Sequence, residues 1–453
     1  MSFKKLLIAN RGEIAIRIAR AAADSGLATV AIYPADDAAS LHVRSADEAR
    51  EIPGRGARAY LDIEAVIAAA KAAGCDALHP GYGFLSENTQ LARRCAEEKI
   101  TFVGPSPEAL DLFGDKAKAK ELGKTCGVPI IAGTSGATSL DEAKAFFASL
   151  GTNAAVMIKA IAGGGGRGMR VVEDLAKLDE AYARCQSEAK AAFGDDRMLI
   201  EKYVQNPRHI EVQIIGDSHG NLLSLWEREC TLQRRHQKVI EEAPSPTLNA
   251  AQRETVCEAA RKAAGAVNYV GAGTIEFVSD GKDVFFIEMN TRLQVEHPVT
   301  ELITGVDLVE WQLRVAFGEA LPLKQNEIRL NGHAIEARVY AENPQKNFMP
   351  SVGRIKTWRT PPDGDGLRID AGYRSGDNVS PYYDAMLAKV IAWAPTREGA
   401  IEKLNRGLEQ TDVRGIVTNI PFLSALVTHQ ATRTNAIDTG FIERELKKDR
   451  KST

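Results

Sequence analysis

Five polar side chains alternate with other residues in the second half of the chain, and their chemical types suggest a reaction site. They are Glu288, Asn290, Arg292, Gln294 and Glu296. If this segment is extended, a period of two places two carboxylates, two amides and a guanidinium on one face of a strand. A lone pair of glutamates would more often be a solvated strand face. The amides and the guanidinium beside this pair favour chemistry.

The segment before this run predicts a hairpin. Two apolar stretches flank a turn-forming segment at 279–283, and Glu276 and Glu288 lie equidistant from Lys282. The two carboxylates would then face each other across the ladder, where like charges are destabilising unless a cation lies between them. Mg²⁺ takes carboxylate oxygens together with phosphate oxygens. The hairpin therefore predicts a metal site that works beside a phosphate.

A glycine-rich segment predicts a phosphate-binding loop. Gly164, Gly165 and Gly166 belong to four consecutive glycines at 163–166, and Lys159 lies on the apolar strand that leads into them. Consecutive glycines expose backbone N–H groups to an anion, and a structural turn rarely needs four. The segment that follows reads as a strand, so this is not a loop that opens a helix. We interpret it as a mobile hairpin that folds over phosphates.

A third polar segment allows two interpretations. His209, Glu211 and Gln213 alternate with apolar residues, and polar residues are again dense from 227 to 238. Such a segment lines either a cleft or a wet surface, and composition alone does not decide between them. Spacing assigns no role to His236 or Lys238.

The pattern of elements predicts an α/β fold that opens with a βαβ unit. A strand at 4–9, a helix at 14–23 and a strand at 28–33 imply a parallel sheet, and the three-glycine dinucleotide motif is absent. Beyond it we predict a helix at 117–126, a strand-turn-strand unit within 131–203, and hairpins from 204 to a helix near 397–410.

Composition excludes several classes of protein. The chain has 453 residues, which suggests several domains, and 57 Lys and Arg against 60 Asp and Glu give a net charge of -3. That balance provides no basic surface for nucleic acid or an anionic membrane. No apolar run approaches the roughly 18 residues of a membrane span. The six cysteines show no paired spacing, so we expect neither zinc nor disulfides, and a cytoplasmic location.

Several long motifs closely resemble those of biotin carboxylase, a family of the ATP-grasp superfamily. They occur in the family's order at 8–14, 79–88, 163–170, 201–203, 206–209, 233–238, 288–292 and 294–300. The resemblance implies an ATP-grasp architecture with an N-terminal βαβ parallel-sheet domain, a mobile glycine-rich lid and a C-terminal mixed α+β domain. We place these domains at 1–114, 115–203 with the lid at about 131–203, and 204–453.

The resemblance also implies a role for each matching residue. ATP would be held by Lys116, Lys159, Gly164, Gly165, Gly166, Glu201, Lys202, His209, Gln233 and His236. Two Mg²⁺ or Mn²⁺ ions would be held by Glu276, Glu288 and Asn290. Bicarbonate would lie among Lys238, Arg292, Gln294 and the Val295 backbone, with Glu296 as the base. Arg338 would stabilise the biotin enolate, and Tyr82 would shape the biotin pocket.

The implied activity is ATP- and bicarbonate-dependent carboxylation of biotin through carboxyphosphate, the first half-reaction of an acyl-CoA carboxylase. The chain contains no Met-Lys dipeptide, so the biotin would be carried by another chain or portion. The implied partners are a biotin carboxyl carrier and a carboxyltransferase, in a homodimer or a larger complex. The alternatives are another ATP-grasp ligase with an acyl-phosphate intermediate, or a non-catalytic ATP-binding subunit. The presence of Glu276, Glu288 and Glu296 disfavours the second alternative.

Overall fold

The computed structural model describes residues 3–134, 136–152, 154–162 and 168–451. It begins with a parallel sheet in the order β3-β2-β1-β4-β5, flanked by helices. The predicted βαβ opening is confirmed. The elements are β1 Lys5–Ile8, α1 Gly12–Asp24, β2 Ala28–Tyr33, β3 Glu48–Glu51, α2 Ile63–Ala72, β4 Ala77–His79, α3 Thr89–Glu97 and β5 Thr101–Phe102.

Helix α1 shows how the sequence builds this layer. Its apolar residues recur at helical spacing, so Ile14 and Ile18 are buried on one face. The helix ends beside Gly26, which has a φ of 72° that favours glycine. The buried face packs into a core shared with Trp311. The parallel sheet is therefore joined through α1 to the rest of the molecule.

A second layer is a small antiparallel sheet in the order β7-β6-β8. The predicted strand-turn-strand unit is confirmed, with Lys159 opposite Met169. Gly164, Gly165 and Gly166, on which the predicted phosphate loop depends, lie outside the described residues. The elements of this part are α4 Pro107–Gly114, α5 Lys116–Thr125, α6 Leu140–Ser149, β6 Val156–Ala160, β7 Met169–Val172, α7 Leu178–Phe193 and β8 Met198–Lys202.

The largest layer is an antiparallel sheet in the order β13-β12-β9-β10-β11-β14-β21-β19. Its neighbouring strands pair antiparallel throughout. The strands from here to the end of the chain are β9 Arg208–Gly216, β10 Leu222–Arg234, β11 Gln237–Ala243, β12 Gly271–Ser279, β13 Val284–Asn290, β14 His333–Tyr340, β15 Glu342–Asn343, β16 Met349–Pro350, β17 Gly353–Arg354, β18 Thr357–Arg359, β19 Leu367–Ala371, β20 Asn378–Val379, β21 Met386–Ala394 and β22 Asp412–Arg414.

Helices pack against this sheet, with α8 against β10 and α11 against β21. The predicted helix near 397–410 is confirmed as α11, but the expectation that hairpins dominate before it omitted three helices between 250 and 316. Among the described residues, no helix combines the length and apolar character needed to cross a bilayer. The helices are α8 Ala250–Gly265, α9 His297–Thr304, α10 Leu308–Ala316, α11 Arg397–Gln410, α12 Ile420–Thr428, α13 Gln430–Arg433 and α14 Phe441–Lys451.

A buried ion cluster ties α11 to the large sheet and makes stability depend on pH. Glu242 accepts from Arg397 Nε at 2.6 Å and contacts His333 Nε2 at 2.6 Å. Burial alone would raise the pKa of Glu242, but the hydrogen bonds from His333 and Arg397 lower it to about 2. The stabilisation is therefore complete above the ordinary pKa of glutamate and is lost as the pH falls toward about 2.

We predict that Glu242→Gln lowers stability at pH 7 by an amount on the order of 3 kcal/mol. The difference from the wild type should shrink as the pH falls from 5 to below 3, because protonation removes the same charge. Thermal unfolding of both proteins, followed by circular dichroism at pH 7, at pH 5 and below pH 3, measures this difference. Glu402→Gln, on an exposed face of α11, is the matched control. A pH-independent difference would contradict the assignment.

Candidate active site

The predicted hairpin and the opposition of its two glutamates are confirmed, although a β-bulge shifts the register by one residue between this rung and the turn. Strands β12 and β13 pair with Glu276 directly opposite Glu288. Asp280 closes the turn by accepting from the backbone N–H groups of Lys282 and Asp283. Glu276 is buried, whereas Glu288 is partly exposed and lies 3.3 Å from Lys116 Nζ. The two carboxylates therefore differ in their surroundings although they share one rung of the ladder.

The expectation that residues 288 to 296 form one strand face is wrong beyond Asn290. Strand β13 ends there, and α9 begins at His297 with Pro298 in its first turn, a position that proline favours. Glu87 holds the turn between β13 and α9. It accepts hydrogen bonds from Arg292 Nε at 2.9 Å and from the Thr291 backbone N–H at 3.1 Å. We call residues 291–296 the acidic-site turn. The turn still places Gln294 against the hairpin, where its amide donates to Glu276, although it is not a strand.

Glu276 is surrounded by hydrogen-bond donors. Its Oε1 accepts from Lys238 Nζ at 2.9 Å, Asn290 Nδ2 at 2.9 Å and Gln294 Nε2 at 2.8 Å. His209 Nε2 lies 3.1 Å from Oε2. Burial would raise the pKa of Glu276, but Lys238 and His209 hold it well below its ordinary value. Glu276 is therefore a carboxylate at neutral pH.

Lys238, on β11, lies at the centre of the site. Its Nζ is 2.5 Å from Glu211, 2.9 Å from Glu276 and 2.6 Å from Glu296. Burial would lower the pKa of this lysine, but the three carboxylates, Glu211 foremost, raise it well above its ordinary value. The ammonium group is therefore permanently charged and can hold an anion.

Glu296 connects this cluster to Arg338. Its Oε1 accepts from Lys238, and its Oε2 accepts from Arg338 Nη2 at 3.0 Å. Burial would raise the pKa of Glu296, but Lys238 and Arg338 hold it well below its ordinary value. The carboxylate is thus ionised and able to accept a proton.

The same nitrogen of Arg338 also contacts a second carboxylate, which sequence patterns did not reveal. Glu241 Oε1 lies 2.5 Å from Arg338 Nη2, as a charge contact without aligned hydrogen-bond geometry. Burial raises the pKa of Glu241 to about 7, although Arg338 opposes the shift. Tyr82 lies nearby, and its hydroxyl donates to Glu13 Oε1. Burial and the Glu13 charge raise the pKa of Tyr82, so the phenol stays protonated.

A second residue missed from the sequence is Arg228, whose side chain is fully buried. Its guanidinium donates to Glu211 at 2.5 Å and to Gln294 Oε1 at 2.7 Å, and also to Gln213, Thr274 and Thr300. This contact fixes the Gln294 amide with its Nε2 toward Glu276. The polar alternation at 209–213 indicated the strand whose Glu211 and Gln213 contact this arginine. The local sequence pattern did not indicate a role for Arg228 itself.

The other end of the site is a lysine cluster around Glu201. Lys159 Nζ lies 2.5 Å from Glu201 Oε2, and Lys120 contacts the other oxygen. Burial, followed by repulsion from Lys116, lowers the pKa of Lys159 to about 8. Burial and its two lysine neighbours lower the pKa of Lys120 to about 7. Crowded ammonium groups of this kind suit a polyphosphate. Lys120 was missed although it lies one helical turn after Lys116.

The remaining predicted nucleotide residues are less closely gathered. Gln233 Nε2 lies 3.0 Å from His209 Nδ1, so these two side chains meet beside Glu276. His236 is exposed in the turn between β10 and β11. Lys202 follows Glu201 on β8, so its exposed side chain points to the opposite face of that strand. The backbone N–H of Lys202 donates to the Ala132 carbonyl.

The predicted metal residues fit a divalent cation. Glu276 and Glu288 present facing carboxylates, and Asn290 adds an amide beside them. Oxygen donors of this kind match Mg²⁺. A second group, His209, Glu211 and Glu276, brings its ligand atoms within 4.8 Å of one another. Its histidine nitrogen suits transition metals better than Mg²⁺.

The chain is similar to known families and proteins. The chain matches the biotin carboxylase N-terminal domain over 2–110, the carbamoyl-phosphate synthase L chain ATP-binding domain over 115–324, and the biotin carboxylase C-terminal domain over 336–444. It is 50% identical to the biotin carboxylase of Halalkalibacterium halodurans, covering 98% of both chains. It is also 50% identical to the methylcrotonoyl-CoA carboxylase subunit alpha of Rattus norvegicus, covering 97% of this chain but only 62% of that one.

A solved structure is also similar. The biotin carboxylase domain dimer of Hydrogenobacter thermophilus 2-oxoglutarate carboxylase has a TM-score of 0.95 and 45% identity, covering 98% of both chains. That structure is a complex with magnesium ADP, ADP and bicarbonate. The fold and the site together define an ATP-dependent ligase of the ATP-grasp class. Within that class, the chain belongs to the biotin carboxylase family.

Proposed function

We propose that this protein carboxylates biotin with ATP and bicarbonate through carboxyphosphate. The observation that carries the proposal is the position of Glu296. This ionised carboxylate lies between Lys238 and Arg338, 2.6 Å and 3.0 Å away, so the base of the first step lies beside the cation of the second. Facing carboxylates and a lysine cluster complete a site suited to phosphoryl transfer.

Bicarbonate has to lose a proton before it attacks the γ-phosphate of ATP. Glu296 is the base, since it is ionised and lies beside the charged Lys238 that would hold the anion. Arg292, Gln294 and the Val295 backbone N–H form the rest of the bicarbonate site. Charge-assisted hydrogen bonds from an ammonium and a guanidinium hold the anion against a triphosphate.

The nucleotide lies toward the lysine cluster. Lys116 and Lys159 hold its phosphates, and Glu201 with the following backbone holds its base. The other ATP contacts are those predicted from the sequence, namely Gly164, Gly165, Gly166, Lys202, His209, Gln233 and His236. Mg²⁺ held by Glu276, Glu288 and Asn290 neutralises the charge that develops on the phosphate oxygens.

Arg338 acts in the second step. Carboxyphosphate breaks to carbon dioxide and phosphate, and the phosphate accepts the proton of a biotin ureido nitrogen, so that the ureido carbonyl oxygen gains negative charge. The nitrogen then forms a bond to the carbon of carbon dioxide. A guanidinium aimed at that oxygen stabilises the enolate. Arg338 is suited to this role, because it is buried and its partner Glu296 is also held by Lys238. Tyr82 borders the biotin pocket.

The wider context follows from the relatives. We infer that the reaction is the first half-reaction of an acyl-CoA carboxylase, since the alpha subunit of one such enzyme shares 50% sequence identity with this chain. The partners are then a biotin carboxyl carrier and a carboxyltransferase, in a homodimer or a larger cytoplasmic complex. We retain the domain division at 114 and 203, with the region at about 131–203 closing over ATP and shielding carboxyphosphate from water.

Phosphate release tests the proposal. The purified chain with magnesium ATP should release phosphate slowly when bicarbonate is added, and much faster when free biotin is also present. Released phosphate is measured continuously, with bicarbonate-free buffer as the baseline. Phosphate release that responds to neither bicarbonate nor biotin would contradict the proposed reaction.

A further inference from the structure

A buried lysine lies directly behind the acidic-site turn. Lys389, on β21, has a fully enclosed side chain whose Nζ donates to the Val295 carbonyl oxygen at 2.9 Å. The same ammonium lies 3.2 Å from Glu13 and 3.6 Å from Asp370. Burying a charge is costly unless it is paired and hydrogen-bonded. All three partners offset this cost.

The register of the large sheet places this lysine beside the reacting groups. Lys389 is the direct cross-strand partner of Arg338 in the β14–β21 pair, so the two side chains lie on the same face. Arg338 reaches the Glu296 carboxylate, and Lys389 reaches the backbone one residue earlier. Two adjacent cations thus hold one short stretch of the turn from the same strand pair.

The contact with Val295 constrains Glu296. A peptide group is planar, so fixing the Val295 carbonyl also fixes the N–H and Cα of Glu296. An ion pair that served stability alone would be satisfied by Glu13 and Asp370. The further bond goes to the one residue whose backbone is proposed to bind bicarbonate, and it holds the base in place.

Glu13 extends this support to the other substrate pocket. Its Oε1 accepts a hydrogen bond from the Tyr82 hydroxyl and also lies 3.2 Å from Lys389 Nζ. Glu13 belongs to α1, whereas Lys389 belongs to the large sheet. The pair therefore joins the N-terminal layer and the biotin-pocket tyrosine to the bicarbonate turn.

We propose that Lys389, held by Glu13, is a positioning residue of the bicarbonate site. This inference rests on the proposed function. Lys389 touches no reacting atom, and it acts by fixing Val295 and Glu296 in the geometry that captures and deprotonates bicarbonate. Displacement of supporting groups by about 1 Å is enough to cost a large factor in rate.

The test is a steady-state comparison of Lys389→Met with the wild type. Methionine fills a similar volume without the charge or the donors. We expect the KM for bicarbonate to rise about tenfold or more and kcat to fall, while the KM for ATP stays within about twofold. The KM is independent of the fraction of enzyme that is folded, so a loss of stability alone would not raise it.

Arg17→Met is the matched control. Arg17 lies one helical turn after Glu13, is 4% exposed, and pairs with Glu301 at 2.9 Å and Asp307 at 2.7 Å. Its replacement also removes a buried cation from an ion cluster, but without contact to Val295. We expect a lower unfolding temperature and an unchanged KM for bicarbonate.

A second variant gives a result even if Lys389→Met does not fold. Glu13→Gln keeps the size and one acceptor oxygen but removes the charge that holds Lys389. We expect its KM for bicarbonate to rise in the same direction by a smaller factor. A wild-type KM for bicarbonate in the folded variants overturns the positioning role. Absence of bicarbonate-dependent ATP cleavage in the wild type would instead overturn the proposed function.

Discussion

Glu296→Ala is expected to abolish two activities, and Arg338→Ala only one. Without the base, both the slow bicarbonate-dependent ATP cleavage and the biotin-stimulated rate should fall by about 100-fold or more. Without Arg338, the slow cleavage should persist, because Lys238 still holds Glu296 ionised at 2.6 Å. The biotin-stimulated rate should fall by a similar factor, since an unpaired developing oxyanion costs on the order of 3 kcal/mol.

The measurement is phosphate release from each purified variant, with and without free biotin. Arg253→Ala is a suitable control. Arg253 Nε forms a comparable ion pair, 2.6 Å from Glu227, and this pair does not involve the acidic-site turn. If Glu296→Ala and Arg338→Ala lose both activities equally, the two steps are not divided between these residues.

Glu288→Gln is expected to leave a folded protein whose ATP turnover falls by about 100-fold or more. Glutamine keeps the hairpin and its register but removes one of the two facing carboxylates. Lys116, 3.3 Å from Glu288, also loses its charged partner. Turnover is measured across a magnesium titration, and the deficit should be largest at limiting magnesium.

Asp283→Asn is the matched control for this variant. It removes one negative charge from the turn of the same hairpin, away from Glu276. Its turnover should stay close to that of the wild type. Near wild-type turnover of Glu288→Gln at limiting magnesium would show that Glu288 does not hold the metal.

The parts of the site that local patterns could predict are those that one short segment builds. The turn signal at 279–283 predicts the hairpin, but the opposition of Glu276 and Glu288 also requires a β-bulge that shifts the register by one residue between this rung and the turn. The βαβ opening was predicted for the same reason, because alternation and a terminal glycine are local signals. The alternation from Glu288 to Glu296 misled, since Pro298 starts a helix and Glu87, about two hundred residues earlier, redirects the turn.

The residues that were missed have partners far away in the chain. Arg228 contacts five side chains on β9, β12, α9 and the acidic-site turn, and Lys389 joins α1 to that turn. Glu241 acquires its role only when β11 and β14 pair. Periodicity identifies which face of an element is polar, but not which distant element will cover that face. The resemblance to a family supplied the roles of the reacting groups, and the structure added the groups that support them.

Oxygen tracing tests the central claim most directly. If bicarbonate attacks the γ-phosphate through one of its own oxygens, that oxygen stays on phosphorus when carbon dioxide leaves. With ¹⁸O-labelled bicarbonate in unlabelled water, each phosphate released in the biotin-stimulated reaction should carry one labelled oxygen, as measured by mass spectrometry. Phosphate that takes its new oxygen from water alone would show simple ATP hydrolysis and would contradict the carboxyphosphate route.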